Sequence, residues 1–151
     1  MMRRRVLLSG LWLGLLVSCA EQAGSGNYVP VPSVRVECTT SRCKAAGGSI
    51  SAFTVFTTST CTNPSFGEVA SGSSTVSCSA SGCTGIVTAF VDSSDQSVTS
   101  IRDGSYWVCV TIDLDRNYSG TQQAGDAAGD LSTHLRVNAA TTVTVSAFTD
   151  L

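Results

Sequence analysis

The densest collection of chemically able side chains is the run DLDRNYSGTQQAGDAAGD, residues 113–130. Asp113, Asp115, Asp126 and Asp130 bring four carboxylates, and Asn117 adds an amide. Oxygen ligands on alternate residues can converge on one hard cation, so Asp113, Asp115 and Asn117 read as the opening of a calcium loop. The sixth position is Tyr118 rather than Gly, and the twelfth is Ala124 rather than a bidentate Glu, which excludes a standard EF-hand. Completing a site would require Asp126 or Asp130 to fold back onto the first three. The competing reading is a solvated Asp/Asn/Gly turn. A connector this long is usually functional or disordered.

Other chemistry has thinner support. His134 is the sole histidine. Strand alternation places it with Ser132, Arg136 and Asn138, opposite Leu131, Thr133, Leu135 and Val137, which is the ordinary setting of an exposed strand histidine. A Ser/His/Asp triad needs a serine oriented by that base, and the chain holds no G-x-S-x-G elbow. The acids sit mostly in loops and single out no glycosidase pair. Trp107, Tyr106 and Tyr118 could offer an aromatic platform to a sugar. Alternation puts Trp107 beside Cys109, where packing against that cysteine or its bridge is expected, so Tyr118 is the better candidate for exposure.

The chain opens MMRRRVLLSGLWLGLLVSC. Arg3, Arg4 and Arg5 precede an apolar stretch, Val6 to Val17, too short for a membrane-spanning helix of about 20 residues. Basic start, short apolar core and small residues before a break read as a secretory signal peptide. Leu16-Val17-Ser18-Cys19 resembles the lipobox of bacterial lipoproteins. That resemblance implies cleavage before Cys19, a diacylglyceryl group on its sulfur and acylation of its new amino terminus. Each buried methylene contributes about 0.8 kcal/mol, and two or three chains hold a protein to a membrane without spanning it. Ala20, where an Asp often signals inner-membrane retention in such lipoproteins, leans toward the outer membrane.

With Cys19 assigned to lipid, six cysteines remain: Cys38, Cys43, Cys61, Cys78, Cys83 and Cys109. An even set in an exported chain reads as a disulfide framework with fifteen possible connectivities. CTTSRC and CSASGC are both C-x4-C, a spacing that suits a hairpin turn with the pair facing across two strands. It favours Cys38–Cys43 and Cys78–Cys83, leaving Cys61–Cys109. Structural zinc sites favour C-x2-C pairs, and no C-x-x-C redox motif is present.

Removal of residues 1–18 leaves 133 residues, enough for one modest core. It takes three of nine basic residues and none of eleven acidic ones, so six face eleven and the mature charge is −5. An acidic chain without a basic run argues against nucleic acid. AEQAGSGN, residues 20–27, completes a flexible tether over 19–27 with a reach of about 15 Å. The rest, 28–151, is rich in Ser, Thr, Gly and Val and shows no sustained helical period. Strands are expected at 33–38, 49–58, 74–79, 85–92, 96–101, 105–113, 131–138 and 141–148. The 85–92 run is apolar enough for a central strand. The fold class is therefore all-β, a disulfide-stapled sandwich of about seven strands.

One stretch carries a further resemblance. SIRDGSYWVCVTIDLDRN, residues 100–117, is similar to prealbumin-like sandwich domains related to the carboxypeptidase regulatory type. In those a loop ending in Asp-Gly feeds an aromatic-led strand that closes in Asp-x-Asp-x-Asn. Here Asp103-Gly104, Tyr106 and Asp113-x-Asp115-x-Asn117 hold those places. The likeness covers some eighteen residues and implies the fold more than a role. The expectation is a non-catalytic structural or binding module of the cell envelope, lipid-anchored and facing an envelope protein or glycan. A calcium- or carbohydrate-binding module is the alternative, and an envelope hydrolase a more distant one. No cofactor is required beyond the possible calcium.

Overall fold

The structure, a computed structural model, describes residues 26–118, 122–131 and 134–151. Cys19, the expected signal segment, the first part of the expected tether, and Ser132 and Thr133 of the expected 131–138 strand lie outside those residues. The described chain folds into strands β1 (Tyr28–Pro30), β2 (Ser33–Cys38), β3 (Gly48–Thr57), β4 (Glu68–Ser79), β5 (Gly82–Val87), β6 (Ser100–Arg102), β7 (Gly104–Ile112), β8 (Ala127–Asp130), β9 (Leu135–Val137), β10 (Thr142–Val145) and β11 (Ala147–Asp150). One short helix, α1 (Ser41–Ala45), joins β2 to β3.

Period-two patterning places the core. Val34, Val36 and Cys38 of β2 point inward while Arg35 is exposed. On β3, Ile50, Ala52, Thr54 and Phe56 are buried, with Phe53 and Val55 half-buried on the other face. On β7, Tyr106, Val108, Val110 and Ile112 are all buried. The buried apolar residues among them join Ala70, Val76, Val87, Phe90, Ala127 and Val145 in one cluster, in which the Phe56 and Phe90 rings meet edge to face at 5.5 Å.

The sheet differs from a seven-strand sandwich. Eight strands follow one hydrogen-bonded path, β10-β2-β5-β4-β3-β7-β8-β11, and β9 joins β7, making nine. β1 and β6 form a separate pair. β10 and β11 are consecutive in the chain, parted only by Ser146, yet they sit at opposite ends of the path. β10 runs parallel to β2, and β11 runs antiparallel to β8. One kinked run therefore closes the sheet nearly into a ring, and the path ends on two short strands of four residues each rather than on long edges.

Other departures have local causes. The 85–92 strand ends at Val87, and Phe90 turns into the core instead. Val91 then bridges Ser71 of β4. Gly72 makes that crossing possible, because a Cβ there would lie 2.3 Å from the Ala89 carbonyl oxygen. β4 extends back from 74 to Glu68 through small and polar residues that carry no strand signal of their own.

The two C-x4-C segments also part ways. Cys78 and Cys83 are direct partners across the β4–β5 hairpin, as the spacing suggests. Gly82 closes that turn at φ +123°, and a Cβ there would meet the Cys38 carbonyl at 2.1 Å. Cys38–Cys43 is bonded too, but it clips β2 to α1 rather than crossing a hairpin. Five residues are too few for a helix to stand alone. The Thr40 side chain caps it by accepting from the Cys43 N–H, and Asp150 of β11 accepts from the Arg42 N–H and the Ser41 hydroxyl. Burial pushes the Asp150 carboxyl up, but the hydrogen bonds from Thr40, Arg42 and Ser41 outweigh it and hold the group below its ordinary range.

Candidate functional site

β7 delivers the acidic loop. Its pairing with β3 continues one step past the strand, where the Asp113 N–H donates to the Ser51 carbonyl at 3.0 Å. Asp113 is thus buried at the sheet's end. Its Oδ1 accepts from the Asn117 N–H at 3.1 Å, and its Oδ2 accepts from the Tyr118 N–H at 2.7 Å. Arg116 and Tyr118 hold left-handed backbone, uncommon for residues other than glycine. The Arg116 guanidinium donates to the Gly47 carbonyl at 2.7 Å. Tyr118 is exposed, as expected for it.

The chain returns through Gln123 to Asp126. The Gln123 N–H donates to Asp126 Oδ2 at 3.1 Å, and the Asp126 N–H donates back to the Gln123 carbonyl. Gly125, at φ +116°, passes close to Asp115. The end of β11 closes over this turn: the Gly125 N–H donates to the Leu151 carbonyl, and the Leu151 N–H donates to the Asp126 carbonyl. One carboxylate oxygen from each of Asp113, Asp115 and Asp126 lies within 4.8 Å of the other two.

Asn117 lies against the same carboxylates. Its side-chain N–H donates to Asp115 Oδ2 at 2.8 Å and its backbone N–H to Asp115 Oδ1, so it orients that carboxylate. Asp126 folds back to join Asp113 and Asp115. Asp130 is paired in β8 between β7 and β11 and stands apart from the cluster.

Asp126 is buried, and its Oδ1 has no hydrogen-bond partner. Burial pushes its carboxyl above the ordinary range. The Gln123 N–H opposes this, the Asp115 and Asp113 charges add to it, and the Leu114 N–H opposes weakly. That last N–H already donates to the Ile112 carbonyl. The recess beside Asp113, shared with Ser49, Ser51, Arg116 and Tyr118, holds about 50 Å³. Asp115 and Asp126 do not line that recess, which is far smaller than the clefts of about 300–1,000 Å³ that organic ligands occupy.

A second feature lies on the outer face of β7. Cys109 bonds Cys61, fastening the β3–β4 connection to the sheet. Beside the bridge an open groove of about 310 Å³ runs past Thr60, Thr62, Trp107, Gln122, Asp130 and Thr149. Trp107 is half-buried there and meets the exposed His134 in a tilted contact, ring centroids 4.5 Å and ring planes 55° apart. Five separate chain segments meet in this groove, and none alone carries a binding signature.

No family model matches the chain, and no curated protein or solved structure shows significant similarity to it.

Proposed function

We propose that the chain is a lipid-anchored, non-catalytic structural or binding module of a bacterial cell envelope. Cys19 would carry the acyl chains, residues 20–27 would tether the domain, and the outer membrane is the proposed site. The observation that carries this reading is the three-disulfide framework of Cys38–Cys43, Cys61–Cys109 and Cys78–Cys83. Such a framework belongs to an oxidising compartment, and a cysteine in the LVSC context is the seventh. The likeness of residues 100–117 to prealbumin-like domains is in keeping with a module that presents loops from a stable β scaffold. Glycan is the second reading for its ligand, favoured by the groove around Trp107, where an aromatic ring lies among Thr60, Thr62, Gln122, Asp130 and Thr149. Supplying cells with tagged palmitate tests the anchor: wild type takes up label, and Cys19→Ala takes up none. Label retained by the variant would defeat the assignment.

A further inference from the structure

We infer that Asp113, Asp115 and Asp126 form a calcium site that ties the β7–β8 loop to the C-terminal strand. Two oxygens on opposite sides of a calcium ion stand about 4.6–5.2 Å apart. Three carboxylate oxygens within 4.8 Å of one another can therefore share one ion. Clustered acids alone are common on protein surfaces, and Asp115 is exposed. Asp126 supplies the independent observation. Its Oδ1 is a buried acceptor with no donor, beside two other carboxylates and within a domain that pairs its other buried loop acid, Asp113.

A buried polar atom without a partner is costly, and more so beside like charges. A divalent cation removes both penalties at once. All three side-chain donors are hard oxygens, with no thiolate or imidazole among them, which selects calcium or magnesium over zinc and copper. Magnesium demands octahedral geometry at about 2.0–2.1 Å and sheds water reluctantly; calcium accepts the wider, irregular set that a folded-back loop can give, completed by carbonyls and water.

The site sits where three parts of the chain meet. Asp113 leaves β7, Asp115 lies in the turn, and Asp126 enters β8 while its backbone holds Leu151. Ion binding would fix the loop that displays Tyr118 and clamp the end of β11. This inference does not depend on the lipid anchor. A soluble protein that binds calcium keeps it, and an acylated protein that does not bind calcium loses it alone.

The test is calcium titration of the full-length protein after dialysis against chelator, read by calorimetry and by thermal unfolding. A hundredfold excess of calcium over its Kd should raise the Tm by about 5–10 °C. Asp126→Asn should abolish the shift, yet unfold in chelator no earlier than wild type, because the amide removes a buried like charge. Asp115→Asn, at an exposed position, should fold and bind calcium at least tenfold more weakly, and it carries the test if the first variant does not fold. No binding heat and no shift in wild type would overturn the site. So would a full shift retained in both variants, and an equal response to magnesium would overturn its assignment to calcium.

Discussion

Replacing Cys61 and Cys109 together with alanine should lower the unfolding free energy by about 4 kcal/mol, against about 2 kcal/mol for either C-x4-C pair. The difference follows from loop length. Cys61 and Cys109 are 48 residues apart in sequence, whereas each short bridge joins residues separated by five. A longer closed loop removes more conformations from the unfolded chain. The native side of the comparison adds to this. Cys38–Cys43 and Cys78–Cys83 clip segments already adjacent, the second of them directly paired in the β4–β5 hairpin. Cys61 lies in an irregular connection that the bond fastens to the outer face of β7. Denaturant unfolding of the three double variants under oxidising conditions checks the ranking. Equal losses for all three would mean that the unfolded chain is already confined around residues 61–109.

Phe56→Ala should cost about 3–5 kcal/mol, enough to leave a domain of ordinary stability largely unfolded on mild heating. Phe56 is fully buried on β3, between β4 and β7, and its ring meets Phe90 edge to face. Phe90 reaches that contact only because the chain leaves the sheet after Val87. Truncating Phe56 therefore opens a cavity and strips the one aromatic partner shown for Phe90, with few ways for a nearly closed sheet to collapse into the space. Phe56→Leu should recover most of the loss. Urea melts of both variants provide the comparison, and an alanine variant within about 1 kcal/mol of wild type would show that the core is looser than its packing implies.

Strong period-two runs were legible in the residues. SVRVEC, SISAFTVFTT and SYWVCVTID each became a strand; the first keeps its alternation of buried and open faces, whereas β7 is buried on both faces from Val108 onward because β3 and β8 flank it. What the residues could not convey was closure. TTVTVSAF reads as one strand, and only the three-dimensional path reveals that Ser146 divides it between opposite ends of the sheet. β8 was hidden for a related reason. AAGD has no large apolar residue, and it is a strand because β7 and β11 flank it. The C-x4-C at 38–43 contains no helix period that could distinguish it from its twin at 78–83; Asp150, more than a hundred residues away, supplies part of the cap. The acidic loop was half legible. Asp113 and Asp115 announce themselves by spacing, whereas Asp126 joins them through a turn made by Gln123 and Gly125. The groove at Trp107 was not legible, since its lining comes from segments far apart in sequence.

With one cysteine proposed to carry lipid and six bound in disulfides, the intact mass of the native protein, extracted from membranes in detergent, measures both together. The expected mass is that of residues 19–151 plus the acyl groups on Cys19, less six hydrogens, with the six restored on reduction. A mass that retains the leader, lacks acyl groups or carries reducible thiols before reduction would contradict it.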